Sequence, residues 1–200
     1  MPSVSLLHLD SQFLVCLKPV GLDSEHRLPD ELKQAVGGDI YPLHRLDTNV
    51  GGVMVFARTQ RAAAELSAAI ARGDMVKEYR AMVHGTPPES GVWEDLLWKD
   101  SRQNKVFVVR RMRKGVRQAK LSFTRLSSGP TSAVHIRLYT GRSHQIRVQF
   151  ASRGFPLVGD HKYGARDRTD LPMLWCCRIR FPWHGEMLQF TSMPDWCPEV

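Results

Sequence analysis

Eight short stretches of this 200-residue chain carry the apolar or alternating pattern of β-strands: 13–17, 52–57, 79–84, 106–110, 120–126, 133–139, 174–181 and 187–191. Each is bounded by turn-forming or charged residues and is too short for a helical face. One helix is clear. Thr59 is placed to cap it, Ala62, Leu66 and Ile70 fall four apart on one face, and Gly73 supplies the stop. A second helix is expected over about 143–153, with Ile146 and Phe150 four apart, Gly154 at its end and Pro156 beyond. Strands outnumber helices and rarely alternate with them. The pattern therefore predicts an α+β fold with a mixed, mostly antiparallel sheet and flanking helices, and argues against a doubly wound parallel sheet. No internal repeat and no Gly/Ser or Pro tract interrupts the chain, so residues 1–200 are expected to form a single domain.

Hydrophobic residues at 42% and charged residues at 24% exclude a disordered or low-complexity chain. No apolar run approaches the roughly 18 residues of a membrane span. The opening segment lacks a basic lead and is broken by His8 and Asp10, so it is not expected to act as a secretion leader. A soluble cytoplasmic chain is the resulting expectation. Cys16, Cys176, Cys177 and Cys197 include no C-x-x-C pair, which suits neither a zinc ribbon nor a disulfide framework.

Charge is distributed unevenly. The formal net charge is +8, and 101–120 holds Arg102, Lys105, Arg110, Arg111, Arg113, Lys114, Arg117 and Lys120 with no acid, so the other 180 residues balance. A local surplus of this kind points to a polyanion such as nucleic acid, although an exposed basic hairpin would look the same.

Three polar clusters stand against the strands. His44-Arg45-Leu46-Asp47 runs into Thr48-Asn49-Val50-Gly51-Gly52; taken alone, its aspartate reads more naturally as a turn residue than as a catalyst. Lys77-Glu78-Tyr79-Arg80 opens a strand, where a lone tyrosine usually packs. Thr140-Gly141-Arg142-Ser143-His144-Gln145-Ile146-Arg147 breaks a strand and starts a helix, a junction that presents amides and an arginine to an anion. Nucleotide-binding, phosphate-loop, zinc-protease and nucleophile-elbow signatures are absent.

Taken in order, Lys18-Pro19-Val20-Gly21-Leu22, H-R-L-D at 44–47, K-E-Y-R-A-M-V-H-G at 77–85, T-G-R-S-H-Q-I-R at 140–147 and Gly159-Asp160-His161-Lys162-Tyr163-Gly164 resemble the RluA family of pseudouridine synthases over about residues 13–196. The resemblance implies the pseudouridine synthase fold with a central RNA cleft. It also implies a catalytic domain without the N-terminal RNA-binding appendage of many relatives, since the K-P motif begins at residue 18. The implied activity is isomerisation of specific uridines in ribosomal or transfer RNA, with no metal or organic cofactor, by a monomer that does not engage a membrane.

The same resemblance implies the roles of individual residues. Asp47 matches the essential aspartate, acting on the ribose either as nucleophile or through a glycal. Arg142 matches the arginine that pairs with it, which would favour the ionised carboxylate. Tyr79 matches the tyrosine that lies against the target base. Arg45 matches the arginine that fills the space of the flipped nucleotide, and His44 and His144 are further RNA-contact candidates. The basic run, above all Arg110, Arg111, Arg113 and Lys114, is expected to form a mobile hairpin that grips phosphate.

Two departures stand out. Val50-Gly51-Gly52 replaces the usual Thr-Ser-Gly, and Leu174-Trp175-Cys176 replaces Leu-His-Ala. The first of these leaves open a silent RNA-binding module on the same scaffold as the competing reading. A glycosidase would need a second suitably spaced acid, and none accompanies the motifs.

Overall fold

The computed structural model describes residues 4–197, so the first three residues of the opening segment lie outside it. In chain order the elements are β1 (Ser5–Leu9), β2 (Phe13–Lys18), α1 (Arg27–Val36), β3 (Tyr41–Pro42), β4 (Gly51–Ala57), α2 (Gln60–Arg72), β5 (Val76–His84) and β6 (Ser90–Asp100). They continue with β7 (Lys105–Val109), β8 (Val116–Arg125), β9 (Thr131–Leu138), α3 (Gln145–Ala151), a 3-10 turn at His161–Tyr163, β10 (Leu174–Trp183) and β11 (Glu186–Thr191). The chain divides into two compact units. The first takes residues up to Lys77 and Trp175–Pro194; the second takes Glu78–Leu174 and the chain from Asp195 onward.

In the first unit β4 is the organising strand, with all seven residues buried. β2 lies antiparallel to it in unbroken register from Phe13 opposite Ala57 to Lys18 opposite Gly52, while β10 runs parallel to it. The sheet is therefore mixed. β1 edges β2, β3 pairs the end of β4, and β11 folds back on β10. Phe13, Phe181, Trp183 and Phe190 pack edge-on and stacked into one aromatic cluster. Helix α2 forms as its sequence requires. Thr59 Oγ1 accepts the Ala62 N–H at 3.1 Å, and Gly73 ends the helix at φ +82. Its buried face is Ala62, Leu66 and Ala69, with Ala69 rather than Ile70 taking the third place.

The strands of the second unit lie in the order β5-β9-β8-β6-β7, and the β9-β8, β8-β6 and β6-β7 pairs are antiparallel. β6 and β8 are paired over nine residues, from Ser90 opposite Thr124 to Trp98 opposite Val116. One face of this sheet is covered by α3. Leu97, Val106, Ala119 and Val148 form one buried cluster, and Trp93, Phe123 and Phe150 form another, with ring centroids 4.3–5.4 Å apart.

The eight expected strands and both helices are present, with ends shifted by a few residues. β1, β3, β6 and α1 are additions. β6 carries Glu94 and Asp95 in its middle, which breaks the apolar pattern. Its Asp95 meets Arg153 at 2.8 Å and Gln149 at 2.6 Å, so a strand that looks interrupted is satisfied by α3 and the residues just after it. α1 buries only Leu28 and Leu32 and has no side-chain cap, which leaves little periodicity to read. Among the described residues, no helix is long and apolar enough to cross a membrane.

Candidate active site

The Asp47 loop is built around a lysine. Lys18, at the end of β2, is fully buried, and its ammonium donates to the carbonyls of Pro19 at 2.9 Å, Leu22 at 2.7 Å and Thr48 at 3.1 Å. Three N–H groups meet three carbonyls, which is how a buried ammonium is tolerated. Burial pushes its pKa down to about 8, while the charges of Asp23 and Asp47 oppose that fall. The loop is held at further points. Gly21 N–H donates to Thr48 O at 2.8 Å and Val50 N–H to Asp47 O at 2.9 Å. Ser24 Oγ both donates to Leu46 O at 2.7 Å and accepts its N–H at 3.2 Å. Residues 46, 47 and 48 thus each have their backbone clamped, and the half-buried Asp47 side chain rises from a loop with little freedom.

His44 and Arg45 flank this loop with different tasks. The Val55 N–H donates to His44 Nε2 at 3.2 Å, so the imidazole continues the pairing of β4 just past the end of β3. Its Nδ1 is buried without a partner among the described residues. Burial, with Lys77 nearby, pushes its pKa down to about 3, and the ring is neutral. Arg45 is exposed and meets Glu25 at 2.8 Å. An exposed pair of this kind is worth at most about 1 kcal/mol.

The two departures in the sequence are one packing solution. β4 and β10 pair in parallel with Gly51 opposite Trp175 and Gly52 opposite Cys176. A Cβ on Gly51 would lie 2.2 Å from the Trp175 ring, and one on Gly52, whose φ is +125, would lie 2.3 Å from the Cys176 carbonyl oxygen. The Trp175 indole N–H donates to Ser192 O at 3.1 Å, which fixes the ring where a serine at 51 would have to stand. Trp175 requires Gly51.

The second unit holds Tyr79, Arg142, His144 and the basic run. Tyr79 lies on β5 and is 5% exposed. The turn after β9 is cross-braced by Gln145: its Oε1 accepts from Thr140 Oγ1 at 2.8 Å and from Arg142 N–H at 3.1 Å, and its Nε2 donates to Lys120 O at 3.1 Å. Arg142 is exposed and its Nε–H donates to Gln118 O at 2.9 Å, which aims the guanidinium. His144 caps α3 in a left-handed conformation, φ +50. The basic run is not the expected hairpin: β7 and β8 flank β6, which pairs with both, so the hairpin is that of β6 and β7, and Arg110, Arg111, Arg113 and Lys114 are all exposed on the turn that leaves β7 for β8. Arg113 lies over the Trp98 ring at 5.1 Å, and none of the four makes an ion pair among the described residues.

Asp47, Arg45 and His44 thus belong to the first unit, and Tyr79, Arg142, His144 and the four cations of the basic turn to the second. Sequence reasoning quoted Lys18 and Gln145 only as parts of motifs and Trp175 only as a departure, and passed over Ser24, whose partner Leu46 lies 22 residues along the chain. No cluster of three or more His, Cys, Asp or Glu that could hold a metal occurs among the described residues.

Residues 12–152 match the RNA pseudouridylate synthase family. The chain belongs to that family. It is 31% identical to the dual-specificity RNA pseudouridine synthase RluA of Escherichia coli, over 98% of this chain and 95% of that one. It is 37% identical to an uncharacterized RNA pseudouridine synthase of Chloroflexus aurantiacus over 70% of its length, and spans only 43% of that longer protein. Its fold is similar to that of human RNA pseudouridylate synthase domain containing 1, with a TM-score of 0.84 at 23% identity, covering 98% of this chain and 85% of the human one. The α+β architecture with a mixed sheet is thus that of the pseudouridylate synthases.

Proposed function

We propose that this chain isomerises uridine to pseudouridine within ribosomal or transfer RNA. Residues 1–200 act as one catalytic domain, a cytoplasmic monomer that uses no metal or organic cofactor. In this reaction the bond from uracil N1 to the ribose C1′ breaks and a bond from C5 to C1′ forms. The C5 proton leaves to solvent and N1 regains one, so the change is an isomerisation with no net hydrolysis.

Asp47 serves the ribose in this reading, either by attack on C1′ or by removal of a ribose proton, and both routes use the carboxylate. Arg142 favours that ionised form. Tyr79 lies against the uracil, its ring stacking on the base. A uridine in a paired or stacked stem has to be extruded, at about a few kcal/mol; Arg45, held only by its exposed pair with Glu25, is free to exchange that partner for the vacated stack and its phosphates. The four cations of the basic turn hold the backbone.

The observation that carries this reading is the Asp47 loop. A fully buried lysine, a serine and several backbone hydrogen bonds hold three consecutive residues, which is much more restraint than a surface turn needs. Such pre-organisation suits a carboxylate that must meet a reacting carbon in one geometry. The relatives' names supply the substrate class: ribosomal large subunit for one, dual-specificity RNA for another. The deciding experiment is incubation with RNA transcribed from 5-tritiated uridine. Tritium release to water, with pseudouridine recovered from the digested RNA, supports the isomerase; binding without release overturns it.

A further inference from the structure

Several groups of the second unit meet at the hydroxyl of Tyr163, in the G-D-x-x-Y-G element. The Val106 N–H donates to it at 2.9 Å, and the same oxygen lies 2.8 Å from His144 Nδ1. The phenol stands edge-on to the imidazole, centroids 5.7 Å apart at 87°. Arg147 and Lys105 lie over the tyrosine ring at 5.2 and 5.4 Å. Arg147 is itself fixed by a buried two-point ion pair with Asp160, at 2.7 and 2.8 Å, three residues before Tyr163. The neighbouring Lys162 donates to Asn104 O at 3.0 Å, so this short element holds the start of β7 at two places.

β7 is the last strand of its sheet, pairs only with β6 among the described strands, and runs directly into the basic turn at 110–114. An edge strand turns alternate amides away from its neighbour, and each such amide needs a partner. Tyr163 is that partner for Val106. The Val106 N–H takes one lone pair of the phenol oxygen; donation of the hydroxyl proton to His144 Nδ1 would leave the neutral imidazole with its own proton on Nε2. His144 also needs holding. Its φ of +50 is uncommon for a residue with a side chain, and such a conformation persists only where the surroundings enforce it. It stands two residues after Arg142 in the same turn.

We propose that Tyr163 is a positioning residue, whose hydroxyl locks His144 as the Nε2–H tautomer and ties β7, with the basic turn that follows it, to the turn that carries Arg142. RNA gripped by the basic turn and the guanidinium that serves the reaction are then held as one body. The catalytic half of this inference rests on the proposed function; the tautomer and the strand contact do not.

Tyr163→Phe removes the hydroxyl and keeps the ring with both of its cations. In the wild type, histidine 15N shifts should report the Nε2–H form at His144; in the variant they should report a mixture, and the Val106 amide should exchange faster with solvent while the rest of the spectrum stays in place. With saturating stem-loop RNA, single-turnover pseudouridine formation should fall about tenfold, with the salt dependence of RNA affinity unchanged. His144→Asn supplies the second arm, because asparagine tolerates the left-handed backbone. If Tyr163 acts through His144, the double variant is no slower than His144→Asn alone. An Nδ1–H tautomer in the wild type, or a Tyr163→Phe chain with unchanged tautomer and rate, overturns the proposal, and additive losses overturn the route through His144. A wild type that releases no tritium overturns the proposed function instead, and the tautomer and amide exchange then decide the latch by themselves.

Discussion

The Asp47 loop and the basic turn between β7 and β8 are both polar segments next to strands, and they are built in opposite ways. Around Asp47, charge is taken inward. Lys18 is fully buried against three carbonyls, His44 is kept neutral, and the backbone of three successive residues is clamped. On the basic turn, charge is left in water, with Arg110, Arg111, Arg113 and Lys114 exposed and without an ion pair among the described residues. Burying polar groups is costly and fixes geometry; exposing cations costs little and creates a field that falls off over a Debye length of about 8 Å at physiological salt. The first arrangement suits a step that depends on the position of one carboxylate. The second suits capture of a polyanion in many orientations.

The sharpest way to break this division is Asp47→Asn, which keeps size and backbone while removing the charge. Single-turnover pseudouridine formation should fall by about three orders of magnitude or more. RNA affinity should hold or rise, since on the proposed function the lost negative charge faces phosphates. If Asp47 only shapes the turn, asparagine substitutes well and formation stays near normal. That outcome would remove catalysis from the loop and with it the contrast.

A smaller effect is expected from replacing Arg110, Arg111, Arg113 and Lys114 together with glutamine. If they neutralise about four phosphates, the slope of log affinity against log salt should become shallower by roughly 3. The rate at saturating RNA should stay within about twofold of wild type. An unchanged slope makes the basic turn an ordinary solvated surface. A changed saturating rate means that the basic turn does more than capture, which the Tyr163 contact would explain.

The smallest effect concerns pH. His44 has a folded pKa of about 3 against 6.5 for a free imidazole, so on acidification the unfolded chain takes up a proton that the folded chain refuses. Its contribution to stability is therefore complete above pH 6.5 and is lost as pH falls toward 3. Between pH 7 and pH 5 this accounts for at most about 2 kcal/mol. His44→Gln, which can still accept from Val55, should lose less stability over that interval in urea titrations at the two pH values. Equal losses would show that His44 is not held neutral, and the loop would be softer than its hydrogen bonds suggest.

Much of this molecule is written locally. Thr59 and Gly73 bracket α2 because a capping hydroxyl and a left-handed stop act within one turn of chain, and the buried β4 is visible in Val53-Met54-Val55-Phe56 as an unbroken apolar run. The basic turn between β7 and β8 needs only a count of charges. Asp47, Tyr79 and Arg142 were legible through motifs, which mark positions without saying what surrounds them. β6 was hidden by its own Glu94 and Asp95, since the residues that satisfy Asp95 lie more than fifty positions away.

What the tertiary structure alone decided has the same character throughout. Lys18 becomes a clamp only when β2 brings it beneath Thr48, thirty residues on. Gly51 becomes obligatory only because the parallel pairing of β4 with β10 sets Trp175 on it, and Tyr163 becomes a bridge only when a 3-10 turn meets the outer edge of β7. The sequence determined which segments extend, which coil and where charge collects, because propensity, capping and charge act over a few residues. It left open which polar groups would be buried and against what, because that depends on strand order and register, and these join residues whose separation along the chain carries no local signal.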